Sequence, residues 1–70
     1  MGYKEIMSQV DKSQAEKFML NLKMRWNGHS HTFDQAVNDA LSHIGISTYV
    51  GGGTANAVVS RMEKKSRISF

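Results

Sequence analysis

The stretch from Thr32 to Gly45 constrains the fold most, because its apolar residues recur every three or four positions and so share one stripe of a helix. The stripe consists of Phe33, Ala36, Val37, Ala40, Leu41 and Ile44. Thr32 and Gln35 predict a capping box, and Asp34 places negative charge at the positive end of the helix dipole. Gly45 predicts the end of the helix. Other elements must cover so wide a stripe, so the sequence predicts a folded domain around a helix at residues 32–44.

The chain length limits the size of the core. Seventy residues form one domain, 1–70, and a domain of this size buries only roughly 60% of the surface of its unfolded chain. The chain has no cysteine, so neither a disulfide nor a thiolate metal site supports it. Helix packing or self-association must therefore supply the stability, and we expect no cofactor.

Several classes of protein are disfavoured by what the sequence lacks. No apolar run approaches the ~20 residues that span a bilayer, and residues 1–10 lack the apolar segment of a signal peptide, so we expect a cytoplasmic protein. His29, His31 and His43 lack cysteine or carboxylate partners that would complete a zinc site. The absence of a thiol nucleophile and of a carboxylate pair on one helix face also disfavours catalysis. We therefore expect neither an enzyme nor a metal site.

Two more helices are predicted before residue 27. Apolar residues at positions 3, 6, 7 and 10 form a short helical stripe that breaks at Asp11. Asp11 and Gln14 form a second pair suited to capping, and a longer helix at 12–26 follows. The stripe of this longer helix consists of Ala15, Phe18, Met19, Leu22 and Trp26.

The helix at 12–26 carries more apolar side chains than one face holds. Leu20 and Met24 lie off its stripe, which suggests that a second surface covers them. The sequence predicts a homodimer or protein-partner interface made by Phe18, Leu20, Met24 and Trp26. The more ordinary explanation is that the methionines fill gaps in a small core.

The residues after Gly45 change from a helical period to an alternating one. A turn at Asn27 and Gly28 makes the helices on either side of it antiparallel. Residues 46–50 alternate and are rich in β-branched side chains, which predicts a strand. Residues 67–70 alternate as well, and the two strands could pair as a ribbon packed on the helices. The predicted fold is mainly α, with three to four helices and a short two-stranded β ribbon.

The last third of the chain combines a predicted helix with positive charge. Of a net charge of +3, the segment 51–70 contributes most, while 27–50 contains two aspartates and neither lysine nor arginine. Thr54 is the expected cap of a helix at 54–65, and the inward residues of this helix are expected to be Ala55, Val58, Val59 and Met62. Short side chains with asparagine, serine and arginine suit close approach to a DNA groove, and lysine suits phosphate. The predicted nucleic-acid-binding residues are Thr54, Asn56, Ser60, Arg61, Lys64, Lys65 and Arg67. Basic residues in a last helical turn also complement the helix dipole, and most such faces only contact water.

The sequence AVVSRMEKKSRI at 57–68 resembles the recognition helix and following strand of winged-helix regulators. The resemblance covers about the last third of the chain and implies a fold that is at best winged-helix-like. It implies that Asn56, Ser60 and Arg61 lie at base-reading positions. It also implies that Lys64, Lys65 and Arg67 lie near the DNA backbone.

Gly51, Gly52 and Gly53 precede this helix and are a phosphate-loop candidate, because backbone N–H groups at a helix start bind anions. They lack the lysine of a P-loop, and a plain mobile loop is the alternative. Taken together, these features predict a small cytoplasmic DNA-binding regulator, a dimer of phage or mobile-element type. The alternative is a protein-binding modulator, an inhibitor or adaptor, that docks its Met/Trp helix face on a larger partner.

Overall fold

The computed structural model describes residues 2–26 and 32–69. Four α-helices follow one another in these residues: α1 (Tyr3–Ser8), α2 (Lys12–Trp26), α3 (Phe33–His43) and α4 (Gly52–Ser66). Helix α2 lies at the centre and packs against both α3 and α4, while α1 packs against α4. The predicted turn at Asn27 and Gly28 lies outside the described residues.

Local signals at the start of two helices are confirmed. The Thr32 hydroxyl accepts from the Gln35 N–H at 3.2 Å, and the Gln35 side chain accepts from the Thr32 N–H at 3.3 Å. Asp11 and Gln14 form the same reciprocal pair, at 2.8 and 3.0 Å, before α2. Gly45 follows α3 with a φ of 84°, in the left-handed region that glycine adopts without strain.

The core lies where α2, α3 and α4 meet. The largest fully buried side chains are Phe18, Ile6, Met19, Leu22, Leu41, Met62, Val37 and Val58. The inward residues predicted for the last helix, Ala55, Val58, Val59 and Met62, are all buried. No described helix has the length and apolar character needed to cross a membrane.

The prediction of a β ribbon is wrong, because neither 46–50 nor 67–69 is a strand and the described residues contain none. Asn38 of α3 supplies hydrogen bonds that a neighbouring strand would otherwise supply. Its amide nitrogen donates to the Val50 carbonyl at 2.6 Å, and its amide oxygen accepts from the Val50 N–H at 2.7 Å. The alternation in 46–50 did indicate burial correctly, since Ile46 and Val50 are buried and Tyr49 is exposed.

The residues after α4 turn instead of forming the second strand. Arg67 has a φ of 61°, in the left-handed region, and ends the helix there. The Ile68 N–H donates to the Ser66 hydroxyl at 3.1 Å. Lys23 of α2 donates to the Ser69 carbonyl at 3.3 Å. Without strands, the described part of the chain has no wing, and the winged-helix-like fold class is corrected to an all-helical one.

Helix α4 begins earlier than the sequence predicted. Its N-cap is Gly51 and its first residue is Gly52, whose φ of 54° lies in the left-handed region that favours glycine. Thr54 lies inside the first turn, so the prediction that it caps the helix is wrong. The Gly52 N–H instead donates to the carboxylate of Asp34 at 3.4 Å. The cap of α4 therefore comes from another helix.

Candidate nucleic-acid interface

One side of α4 packs against the core, and the opposite side faces solvent. Its buried residues recur every three or four positions from Ala55 to Ser66. The opposite side carries mostly short side chains, and Gly53, Asn56 and Ser60 there are exposed. Fifteen residues at about 1.5 Å per residue make a helix about 22 Å long. The result is a long, shallow outer face that another molecule can approach closely.

Four cations lie on the C-terminal half of this helix and just beyond it. Arg61, Lys64, Lys65 and Arg67 are all exposed. Within residues 2–26 and 32–69, the side chains of Lys64, Lys65 and Arg67 form no hydrogen bond or ion pair. Their positive charge is therefore not compensated by internal acidic partners in the described structure, and it remains available to an anion.

Arg61 differs from the other three cations because its guanidinium contacts α1. It lies 5.0 Å from the centroid of the Tyr3 ring, and its Nη2 donates to the Tyr3 hydroxyl at 3.4 Å. The hydrogen bond from Arg61 lowers the pKa of Tyr3, and the positive charges of Arg61 and Lys4 lower it further. These three residues form a cationic cluster where α1 meets α4.

The start of α4 has the opposite charge. A Cβ at Gly51 would lie 3.3 Å from the Asp34 carboxylate, which also accepts from the Gly52 N–H. A carboxylate thus occupies the place where the phosphate-loop candidate, Gly51 to Gly53, would hold an anion. An incoming phosphate would meet negative charge there, so the cationic end of α4 is its C-terminal end. The sequence alone does not reveal this second role of Asp34, because it depends on the packing of α3 against α4.

The apolar residues predicted to form an interface on α2 do not share one surface. Phe18 has 0% exposure and belongs to the core, whereas Leu20 and Met24 are each 59% exposed. Trp26 is 40% exposed, and its ring packs edge to face against Phe33 of α3, with 5.3 Å between centroids. Leu20 and Met24, one helical turn apart, are the exposed apolar pair of α2.

An open groove of about 260 Å³ lies between α3 and the segment that follows it. It is lined by Asn38, Ser42, Ile46, Ser47, Thr48 and Tyr49, none of which carries a charge at neutral pH. Asn38, the residue that sequence analysis missed, forms one wall of this groove and fixes Val50. The groove therefore has no cationic group that would bind an anion.

The histidines and acids do not converge in the described residues. No three of them lie close enough together there to hold a metal ion. His43 hydrogen bonds with Arg25 of α2, while His29 and His31 lie outside the described residues.

No protein-family model, curated protein or solved structure that was compared with the chain matches it. Among the described surfaces, the outer face of α4 combines accessibility, short side chains and uncompensated charge. The positive charge of this face is complementary to that of an anion.

Proposed function

We propose that the chain is a small regulatory protein that binds duplex DNA through the outer face of α4. The observation that carries the proposal is a face of short side chains beside four exposed cations, of which three have no partner in the described residues. The DNA major groove is about 12 Å wide and admits one α-helix. Because α2 supports α4 from behind, α4 can enter a groove without unfolding.

The side chains of α4 have different roles in this proposal. Lys64, Lys65 and Arg67 contact phosphates, which gives affinity and salt dependence but no sequence preference. Asn56 suits adenine, and Ser60 hydrogen bonds with several base edges. Thr54 is half-buried in the first turn and contributes least. The resemblance of 57–68 to winged-helix recognition helices supports this use of the helix, although no wing accompanies it in the described residues.

The charge distribution along α4 gives the complex a direction. The Asp34 carboxylate accepts a hydrogen bond at the N-terminal end of α4, and the cations lie in its last turns. We therefore place the phosphate backbone near the C-terminal end of α4, with Asp34 turned away from it. This orientation avoids contact between the carboxylate and the phosphates.

We also propose that the protein acts in the cytoplasm as a homodimer, in the manner of regulators that phages and mobile elements encode. The exposed pair Leu20 and Met24 supports self-association, because burying apolar surface is favourable. A two-fold dimer would present two copies of α4 to neighbouring turns of a palindromic DNA site.

The same exposed pair, each residue 59% exposed, favours a second candidate function. In this alternative, the chain is an inhibitor or adaptor that docks Leu20 and Met24 on a larger protein. Its charges would then only steer the encounter.

A titration with duplex DNA separates the two functions. Fluorescence anisotropy of a labelled random-sequence duplex would be recorded with increasing protein, at salt concentrations from about 50 to 200 mM. The DNA-binding function predicts an affinity that falls steeply as salt rises. An absence of binding at the lowest salt would exclude it. The alternative predicts that a larger protein co-purifies with the tagged chain. Loss of that protein from a Leu20→Ser, Met24→Ser variant that still folds would support the alternative.

A further inference from the structure

The contact between Tyr3 and Arg61 joins the first helix to the proposed DNA-binding face. The two residues are 58 positions apart in the chain, and α1 otherwise has no place in the proposal. We infer that Tyr3 is a positioning residue, which holds the Arg61 guanidinium ready to contact a base edge and makes α1 part of the DNA interface. This inference rests on the proposed function.

Both the aromatic ring and the hydroxyl of Tyr3 contact Arg61. Its ring lies 5.0 Å from the guanidinium carbon, a distance at which a cation is attracted to the face of an aromatic ring. Its hydroxyl accepts from Nη2 of Arg61 at 3.4 Å. A guanidinium has five N–H donors, so this one bond leaves the others free. The arginine is thus restrained while it keeps donors for a ligand.

Tyr3 is itself held in place. It is half-buried and packs against the core, and the next turn of α1 is anchored by Ile6, which is fully buried. A long side chain that is already restrained loses less conformational freedom when it binds. The fork of donors on an arginine matches the two acceptors of guanine, so a restrained Arg61 can distinguish bases. Lys64 and Lys65, which have no side-chain partner in the described residues, act as mobile charges instead.

Lys4 belongs to the same surface. Its positive charge contributes to the lowered pKa of Tyr3, after the two larger effects of Arg61, and its side chain is exposed. Lys4 therefore adds positive charge to the surface that Arg61 presents.

A double-mutant cycle tests whether Tyr3 acts through Arg61. The wild type, Tyr3→Leu, Arg61→Ala and the double variant would be titrated with one duplex at low salt. Thermal unfolding would be measured on each.

We expect Tyr3→Leu to weaken binding by about two- to five-fold and to have no further effect when Arg61 is already alanine. Tyr3→Phe, which keeps the ring, should lose less affinity for the duplex than Tyr3→Leu does. Tyr49→Leu is the matched control, because Tyr49 is 76% exposed and lies beside Gly51, at the start of α4 and ten residues before Arg61. This variant should bind as the wild type does.

A second measurement detects the contact without DNA. In a Tyr49→Phe background Tyr3 is the remaining tyrosine, so the ultraviolet absorbance of its phenolate reports its titration. We expect Tyr3 to ionise at lower pH than a free tyrosine, because Arg61 stabilises the phenolate. Arg61→Ala should raise this pKa. An unchanged titration curve would show that the contact is not made, and would overturn the inference.

The outcomes separate the inference from the proposed function. If the wild type does not bind duplex DNA at all, both are wrong. If the wild type binds and Lys64→Ala weakens binding, but Tyr3→Leu costs as much with Arg61 absent as with Arg61 present, only the inference is wrong. Tyr3 would then stabilise α1 without positioning the arginine.

Discussion

The starts of α3 and α4 differ in where their caps come from. At the start of α3, Thr32 and Gln35 satisfy each other's backbone N–H groups. At the start of α4, Gly51 has no side chain, and Asp34 of α3 accepts from Gly52. The cap of α3 comes from residues at its own start, whereas the side-chain acceptor at the start of α4 is in place only when α3 and α4 have packed. The position and charge of α4, and therefore its proposed interface, depend on α3.

Asn38 extends this dependence from the helix start to the segment before it. It lies one helical turn after Asp34 and donates to the Asp34 carbonyl at 2.7 Å as well as to Val50. Together, Asp34 and Asn38 hold the chain at residues 50–52 against α3. Three predictions test the difference between the two helix starts.

The largest effect is expected for Asn38→Leu. Loss of the amide leaves the half-buried N–H and C=O groups of Val50 without their partner, which should lower the free energy of unfolding by about 2–3 kcal/mol. Urea denaturation measures this loss. Asn38→Asp is the control, because it can still accept from the Val50 N–H but cannot donate to its carbonyl, and it should fall between the leucine variant and the wild type. Equal stability of all three proteins would show that Asn38 does not fix the segment.

Asp34→Ala should have an intermediate effect and act on both helices. It removes the acceptor at Gly52 and a favourable charge at the start of α3, at a cost of about 1–2 kcal/mol. Hydrogen exchange at the Thr54 and Ala55 amides, which donate to the Gly51 carbonyl, should become faster. DNA binding by the same variant should change little, because the proposed orientation turns Asp34 away from the phosphates. Unchanged exchange in the first turn of α4 would contradict the capping role.

Thr32→Ala should have the smallest effect and remain confined to α3. Loss of the hydroxyl acceptor should cost about 1 kcal/mol. Exchange at the first turn of α4 should not change, since Asp34 is still present. Faster hydrogen exchange in α4 of this variant would contradict the distinction between a cap from the same helix and a cap from another helix.

The same difference explains which features of the fold could be predicted from the sequence. Capping boxes, helical stripes and the buried residues of α4 follow from local spacing, so they could be predicted. The β ribbon was wrong because Asn38 is a polar residue on the edge of a helix, and nothing in its spacing marks it as a partner for Val50. For the same reason, the link between Tyr3 and Arg61 could not be predicted, although the outward direction of Arg61 could.

Phe18 shows a different limit. It lies on the apolar stripe of α2, and the sequence could assign it either to the core or to an interface with a partner. The structure buries it fully and leaves Leu20 and Met24 exposed. Helical spacing identifies a stripe, but the number of helices packed around it decides how much of α2 remains at the surface.

The salt dependence of DNA binding by two charge-matched variants tests the central proposal most directly. Lys64→Ala with Lys65→Ala removes two cations from α4, while Lys12→Ala with Lys17→Ala removes two exposed cations from α2. If α4 contacts the phosphates, the negative slope of log affinity against log salt should become shallower in the first variant, by about 0.9 per lost contact or about 1.8 in all. The second variant should leave the slope unchanged. Equal slopes for both variants would contradict a specific interface on α4.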